Sequence, residues 1–213
     1  MDKKGSCLII SGGSFSEVPA DILKADCVIA CDLGLDHADR YGIKPDIVLG
    51  DFDSLSHEKL KSLSENDYKI MRYPKEKDDT DTSLAMKHAL ELGYKDIRMV
   101  SVFGKRMDHA FSNIQTAHYG AEHGAVVRMY AEKTEAVVFS DKTLRIPQKK
   151  GYGLSVFSLT DKCRGVGITG TKYELKDADI TNSFPIGQSN EFKDKEAVIS
   201  VTEGVLMVLT CAL

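Results

Sequence analysis

Short apolar runs alternate with segments of helical period over the first two thirds of the chain. Most of these runs end at Gly, Pro or Asp, and runs of this length are typical of parallel strands that are buried on both faces. They are CLIISGG, CVIACD, DIVLGD, YKIMRYP, IRMVSVFG and AVVRMYA. The pattern therefore predicts six strands separated by helices.

Two of the intervening segments carry an apolar stripe at helical spacing, and each predicts a helix. The stripe of DHAFSNIQTAHYGAEHG consists of Ala110, Phe111, Ile114, Ala117, His118 and Ala121. That of TDTSLAMKHALELG consists of Leu84, Ala85, Ala89 and Leu92, with Gly93 as a candidate C-cap.

This alternation of strand and helix predicts an α/β domain with a Rossmann-like parallel sheet and helices on both faces. Because crossovers between parallel strands are right-handed, the C-terminal ends of the strands share one edge of the sheet. Ligands of such sheets bind at that edge.

The pattern changes at about residue 134, where short strands follow one another without a helical segment. The two parts, 1–133 and 134–213, are predicted to be separate domains. The second is predicted to be an antiparallel sandwich or barrel. Its candidate strands are EAVVFS, KTLRIPQ, GLSVFSL, GVGITG, TKYEL, ADITN, AVISVTEG and GVLMVLT.

Composition narrows the classes of function. The formal net charge is -4 and no long basic block is present, which argues against a nucleic-acid partner. No apolar run is long enough to cross a bilayer, and the first residues lack the features of a secretory signal. The five cysteines form no CxxC pair and mostly lie in apolar runs, as reduced core residues do. We therefore expect a cytoplasmic protein without a membrane partner.

Two carboxylates follow the third predicted strand, in VLGDFDSL. Asp51 and Asp53 are two residues apart, so both side chains can face one side of an extended segment. Like charges held this close repel unless a cation lies between them, and Mg²⁺ prefers such oxygen ligands. The alternative is an ordinary loop in which Asp53 caps the next helix and Asp51 is solvated.

Polar side chains also follow three other predicted strands. Asp32 ends the second strand, and Lys77, Asp78 and Asp81 lie between the fourth strand and its helix. VFGKRMDH then supplies Gly104, Lys105, Arg106 and Asp108. One of the aspartates could be an N-cap, but capping does not explain the basic residues and glycines beside them. Carboxylates for a metal, cations for phosphate and glycines for close approach together predict a Mg²⁺-nucleotide site.

Other features are less specific. SGGS at 11–14 could bind phosphate, although it is neither a Walker A loop nor a GxGxxG motif. His118, on the helical stripe, is interpreted as a core histidine. In the second part, Tyr173 could stack on a flat ligand while Ser189 and Asn190 hydrogen-bond its edge. Local chemistry alone favours a strand tyrosine and a polar hairpin turn.

The ordered set of these motifs resembles the thiamine pyrophosphokinases of bacterial type. The matching elements are CDLGLDHADRYGIKPDIVLGDFDSL, PKEKDDTD, GKRMDHAFSN, GTKYEL and GQSNE. The resemblance implies an α/β catalytic domain, a C-terminal β-sandwich and a homodimer that binds thiamine at the subunit interface. It also implies transfer of a diphosphoryl group from ATP, the co-substrate, to the hydroxyl of thiamine, with release of AMP.

The resemblance also implies the roles of individual residues. The residues implied to carry catalysis are Asp51, Asp53, Asp78, Asp81 and Arg106, and the four aspartates among them are the implied Mg²⁺ ligands. Binding of ATP is implied for Asp32, Gly34, Ser54, Lys77, Thr80, Gly104, Asp108, His109 and Asn113. Binding of thiamine is implied for Tyr173, Ser189 and Asn190.

Two other functions use some of the same features. A Mg²⁺-dependent phosphatase or sugar-nucleotide transferase also places a DxD motif after a strand. A non-catalytic thiamine-binding module would need the motifs of the second part but not carboxylates at four strand ends.

Overall fold

The computed structural model describes residues 5–53 and 68–213. The chain divides into two compact units, Met1–Gly120 with Met129–Glu132 and Ala121–Arg128 with Lys133–Leu213. The described strands pair in both parallel and antiparallel fashion, and helices are few. The fold is therefore based on mixed sheet.

All six strands predicted in the first part of the chain are present. Five of them pair in parallel within the first unit in the order β5, β1, β2, β3, β4. They are β1 (Ser6–Ile10), β2 (Cys27–Cys31), β3 (Ile47–Gly50), β4 (Lys69–Arg72) and β5 (Asp96–Val100). The sixth, β6 (Val126–Ala131), has residues in both units.

Three helices lie in the described part of the chain, and the predicted apolar stripe of the third is partly wrong. They are α1 (Gly34–Tyr41), α2 (Asp81–Glu91) and α3 (Met107–Glu122). Phe111 is 60% exposed, whereas the polar Asn113 is buried. Asn113 can be buried because its amide donates to the carbonyl of Val102 at 2.6 Å. None of the described helices has the length and hydrophobicity needed to span a membrane.

Two clusters of the core of the first unit lie on the face of the sheet against which α1 packs. Ala38 of α1 joins Leu8, Val28 and Val100 in one cluster of buried side chains. A second cluster consists of Ala30, Leu35, Val48 and Phe52. Because side chains alternate along a strand, Cys31 points away from the face that bears Ala30. Its thiol instead contacts the first residue of α2, the carbonyl of Asp81, at 3.6 Å.

The second unit is antiparallel. Its central strand, β12 (Glu196–Ala212), pairs with β7 (Thr134–Pro147) along one side. On the other side, one end of β12 pairs with β9 (Lys162–Thr169) and the other with β8 (Tyr152–Ser158). β10 (Leu175–Thr181) pairs with β9, and β11 (Gly187–Asn190) pairs with β8.

The pairing of the two long strands of the second unit is interrupted by a bulge. The register of β12 shifts between Val201 and Val205. Core positions are odd-numbered before the shift, as at Ile199, and even-numbered after it, as at Leu206 and Val208. Since alternate residues point to opposite faces, the bulge allows odd-numbered residues before it and even-numbered residues after it to face the same core.

Three sequence predictions in this unit differ from the structure. EAVVFS and KTLRIPQ form one strand, β7, and AVISVTEG and GVLMVLT form β12. TKYEL is mostly a turn that begins with an isolated bridge from Thr171 to Phe192. GQSN is a strand, β11, and not a hairpin turn. The local residue types did not reveal these long-range pairings.

Candidate functional site

Sharp turns follow three parallel strands at their C-terminal ends. Asp32 after β2, Phe52 after β3 and Ser101 after β5 have φ of 44°, 62° and 56°. Positive φ is uncommon for residues other than glycine, and such strain is concentrated at functional sites. Here it turns the chain directly after the strand, at the edge where the sequence predicts a ligand site.

Gly50 is required by the close approach of Asp32. Its φ is 151°, and a Cβ atom at this position would lie 1.9 Å from Oδ1 of Asp32. The same Oδ1 accepts a hydrogen bond of 3.0 Å from the backbone N–H of Phe52. The absence of a side chain at Gly50 thus allows the Asp32 carboxylate to lie against the turn that carries Asp51 and Asp53.

Three carboxylates meet at this turn. Among the described residues, Asp32, Asp51 and Asp53 each offer an oxygen, and these oxygens lie within 4.8 Å of one another. Oδ1 of Asp51 accepts the N–H of Asp53 at 3.0 Å, which fixes the spacing of the pair. Asp53 also forms an ion pair with the exposed Lys75.

The surroundings of Asp32 favour its protonated form. Burial, the negative charge of Asp81 and that of Asp51 raise the pKa of Asp32 to about 7, although the Phe52 N–H opposes the shift. Burial also raises the pKa of the Cys31 thiol, as do Asp81 and Asp32. A cation at this position would relieve the repulsion between the carboxylates.

Some polar residues near the start of α2 make contacts that stabilise the fold, and others line the cavity described below. Thr80 is the N-cap of α2, and its hydroxyl accepts the N–H of Ser83 at 3.1 Å. Asp79, which the sequence reading did not single out, pairs with Lys87 at 2.7 Å. Lys87 and the Ser83 hydroxyl lower the pKa of Asp79.

Lys77 and Asp81 form an ion pair at the inner end of the same segment. Lys77 Nζ lies 3.0 Å from Oδ1 of Asp81, and the two side chains are only 13% and 21% exposed. The contact lacks hydrogen-bond geometry, since this Oδ1 is buried without a hydrogen-bond partner. Asp78, by contrast, is exposed and lies outside the group formed by Asp32, Asp51 and Asp53.

A cavity of about 620 Å³ lies in the first unit beside these side chains. Eight of the residues predicted to act in ATP binding or catalysis line it: Asp32, Lys77, Thr80, Asp81, Gly104, Arg106, His109 and Asn113. Asp51 and Asp53 lie next to it through their contact with Asp32. Ser54 lies outside the described residues.

Two predicted residues have evident structural contacts. Gly34 begins α1, and a Cβ atom there would lie 2.0 Å from the carbonyl oxygen of Ile10, so the close packing of α1 on β1 requires glycine. Asp108 forms an ion pair with Arg106, in which both side chains are more than 60% exposed. The Arg106 guanidinium lowers the pKa of Asp108 to about 2.

The SGGS segment, a candidate phosphate-binding segment by sequence, lies in the wall of the cavity. The N–H groups of Gly13 and Ser14 donate to the carbonyls of Ser101 and Phe103 at 2.8 and 2.9 Å. The Ser11 hydroxyl lies 2.8 Å from that of Thr82 in α2. Those two N–H groups are thus used within the protein and do not form a phosphate-binding loop. The position of SGGS after β1 was the sequence signal for this placement.

The three residues predicted for thiamine lie together in the second unit but differ in exposure. The Tyr173 side chain is 60% exposed, whereas Asn190 is buried. The Asn190 amide bonds to the backbone of Tyr173 at 2.7 and 3.0 Å. Ser189 is exposed and has a φ of 58°.

The three carboxylates of Asp32, Asp51 and Asp53 have the donor chemistry that suits a magnesium ion. Mg²⁺ prefers carboxylate and water oxygens, and proteins usually bind it through one or two carboxylates together with substrate phosphates and waters. Burial and the charges of Asp81 and Asp51 raise the pKa of Asp32, so the protein alone compensates the charge of this carboxylate poorly. The roles predicted for individual residues remain predictions.

A pH experiment can test this charge imbalance. Unfolded aspartate has a pKa near 3.9. The folded protein therefore binds the Asp32 proton more tightly than the unfolded chain does, and stability should fall as the pH rises from about 4 to about 7. Because Asp32 is partly exposed, we expect the loss of stability at high pH to be only about 1 kcal/mol smaller in Asp32→Asn than in the wild type. At pH 8 this corresponds to a Tm roughly 2–4 °C higher for the variant than this loss would otherwise allow. Circular dichroism melts of the wild type and Asp32→Asn in EDTA at pH 5 and 8 measure this difference. The same change in Tm with pH in both proteins would contradict the expectation.

Two family models match the chain. The model described as the catalytic domain of thiamin pyrophosphokinase matches residues 20–129, and that described as its vitamin B1 binding domain matches 141–206. The first match includes Asp32, Asp51 and Asp53 and most of the residues that line the cavity. The second contains Tyr173, Ser189 and Asn190.

Comparison with individual proteins agrees. The chain is 27% identical to the thiamine pyrophosphokinase of Bacillus subtilis over 170 residues, 79% of each chain. The crystal structure of thiamine pyrophosphokinase from Bacillus subtilis superposes with a TM-score of 0.86 at 23% identity, covering 97% of this chain and 99% of the other. That from Geobacillus thermodenitrificans gives a TM-score of 0.82 at 25% identity, covering 98% of both. The chain belongs to the thiamine pyrophosphokinase family.

Proposed function

We propose that this chain transfers the diphosphoryl group of ATP to the hydroxyl of thiamine, giving thiamine diphosphate and AMP. The observation that carries the proposal is the meeting of three carboxylates, Asp32, Asp51 and Asp53, beside a cavity that also holds Lys77 and Arg106. This set lies within the match to the family's catalytic domain. Family membership makes ATP and thiamine its substrates and makes it a transferase of the kinase type.

The finer division of the fold forms part of the proposal. Residues 1–133 would be a Rossmann-like domain with helices on both faces, which the packing of Ala38 and the contact of Cys31 with α2 support. Residues 134–213 would be a β-sandwich, which the bulge in β12 supports because strands that bend in this way join two sheets.

The proposed cofactor is Mg²⁺. Asp32, Asp51 and Asp53 would hold it, with Asp81 beside Asp32. When bound, the ion would neutralise negative charge on the triphosphate. The family resemblance implies this role for Asp78 and Asp81 and not for Asp32, and a comparison of variants at Asp32 and Asp78 decides between those two positions.

The chain's own cations would bind and orient the phosphates. Lys77 projects into the cavity and is held by Asp81 and by the carbonyl of Pro74, at 3.0 and 3.2 Å. Arg106 is solvent-exposed and forms an ion pair with the exposed Asp108, so it can turn towards a phosphate at small cost. Positive charge at these places stabilises the transition state as the bond between the α- and β-phosphates breaks.

Two helix starts complete the proposed nucleotide site. Thr80 caps α2, and His109 and Asn113 lie in the first two turns of α3 on the cavity side. The N-terminal end of a helix carries partial positive charge, which favours phosphate binding. Asn113 fixes the loop after β5 by its bond to Val102.

The thiamine site is proposed in the second domain, at the interface of a homodimer. Thiamine is a cation with flat rings, and the exposed Tyr173 ring suits it. Phe184 and Ile186, close to Ser189 in the chain, are 64% and 52% exposed, as residues at an interface between subunits often are in the isolated chain.

An assay of products tests the function. The purified protein is incubated with ATP, Mg²⁺ and thiamine, and the products are separated by chromatography. We expect AMP and thiamine diphosphate in equal amounts, both dependent on thiamine. Inorganic phosphate or a nucleoside diphosphate would favour the phosphatase or nucleotide-transferase alternative, and thiamine binding without consumption of ATP would favour the non-catalytic module.

A further inference from the structure

Asn190 has no hydrogen-bonding capacity left for a ligand. Its side-chain oxygen accepts the N–H groups of Tyr173 and Glu191 at 3.0 and 2.9 Å. Its amide nitrogen donates to the carbonyl of Tyr173 at 2.7 Å and to the Thr171 hydroxyl at 3.2 Å. An asparagine amide offers two donors and two acceptor positions, so all four are used. The residue is only 4% exposed.

These bonds hold both polar groups of the Tyr173 backbone, its N–H and its C=O. The amide pairs with the N–H and the C=O of Tyr173 as a neighbouring strand would. Thr171, which is 1% exposed, adds a bond from its hydroxyl to the same carbonyl at 3.1 Å. The Tyr173 ring itself remains 60% exposed. The main chain of Tyr173 is thus fixed while its ring faces outward.

We propose that Asn190 is a positioning residue that acts on thiamine through Tyr173, and that Ser189 is the member of the Ser189–Asn190 pair that can contact the ligand. This inference rests on the proposed function. It replaces direct hydrogen bonding by Asn190, which the sequence suggested, with an indirect role. The Tyr173 ring binds a ligand more tightly if the backbone that carries it is already fixed, because ordering that backbone on binding costs affinity.

Ser189 has the opposite environment. Its backbone N–H donates to the Ser155 hydroxyl at 3.0 Å, and it is exposed. Its φ of 58° is one that a serine adopts only when its surroundings impose it. Bonds of the Asn190 side chain on one side and of the Ser155 hydroxyl on the other hold the chain at Ser189.

A double-mutant cycle tests the indirect role. We expect Asn190→Ala and Tyr173→Ala each to raise the thiamine KM about tenfold, with a change of less than twofold in the ATP KM. The double variant should match Tyr173→Ala, since Asn190 has nothing left to position. A double variant whose KM is raised by the product of the two single effects would overturn the proposal, because Asn190 would then bind thiamine itself.

Asn190→Asp provides a second test that does not require loss of the side chain. It keeps the oxygen that accepts from Tyr173 and Glu191 but sets a carboxylate against the carbonyl of Tyr173. A positioning role predicts a raised thiamine KM. An unchanged or lowered KM would overturn the proposal, because a carboxylate in direct contact should favour cationic thiamine.

Hydrogen exchange measures positioning without thiamine. In Asn190→Ala the amides of residues 171–175 should exchange at least tenfold faster than in the wild type, whereas the exposed control Asn182→Ala should leave them unchanged. Equal exchange in wild type and Asn190→Ala would overturn the proposal. A wild-type protein that makes no thiamine diphosphate would overturn the proposed function as well, whereas an active wild type with additive variants would overturn only the role of Asn190.

Discussion

Replacement of Asp53 by alanine is expected to lower kcat about a thousandfold or more without unfolding the protein. Asp53 is one of three carboxylates whose oxygens lie within 4.8 Å of one another, and loss of one ligand weakens the proposed magnesium site. Its folded-state contacts are modest, since its side chain is 45% exposed and its ion pair is with Lys75, 76% exposed. Such an exposed pair contributes little to stability, so the Tm of the metal-free protein should change little.

The matched control is Asp21→Ala, which removes an exposed carboxylate away from the cavity. Turnover is measured by AMP formation over a range of Mg²⁺ concentrations, and folding by circular dichroism. Activity of Asp53→Ala within tenfold of wild type would contradict a metal role. Asp32→Asn and Asp78→Asn, measured in parallel, show which of these two carboxylates belongs to the set.

Lys77→Met is expected to lower kcat about a hundredfold at saturating substrates. Methionine fills much of the space of the lysine stem but removes the charge that would act on the phosphates. It also leaves Asp81, which is 21% exposed, without its ion pair and close to Asp32. The carboxylates then repel more strongly, so the metal-free protein should also lose stability at pH 8.

Lys24→Met, on the surface, is the control for loss of one positive charge. Steady-state kinetics with thiamine and ATP varied separately distinguish loss of turnover from loss of binding. If Lys77→Met raised the KM for ATP and left kcat unchanged, Lys77 would bind the ground state and the transition state equally, which would contradict a role specific to the transition state.

The sequence predicted the parallel strands and the placement of the acidic residues because both depend on local signals. Short apolar runs that end at Gly or Asp marked the strands, and the shared edge of a parallel sheet brought their ends together. Asp32 could thus be placed near Asp51 and Asp53 from topology alone.

Other features depend on contacts that the sequence does not display. Nothing local indicates that Asp79 pairs with Lys87 while Asp81 faces Lys77. The local pattern of TKYEL predicts a strand, whereas Tyr173 lies in a turn that is held by Asn190, distant in sequence. In both cases the chemistry of the residue was evident, but its partner could be identified only in the fold.

The measurement that tests the central claim most directly uses ATP labelled with ³²P at the β-phosphate, together with thiamine, Mg²⁺ and the wild-type protein. Transfer of a diphosphoryl group predicts that the label appears in thiamine diphosphate, and that the AMP formed in equal amount is unlabelled. Label that stays in ADP, with none on thiamine, would contradict the account, because the bond broken would then be the one between the β- and γ-phosphates.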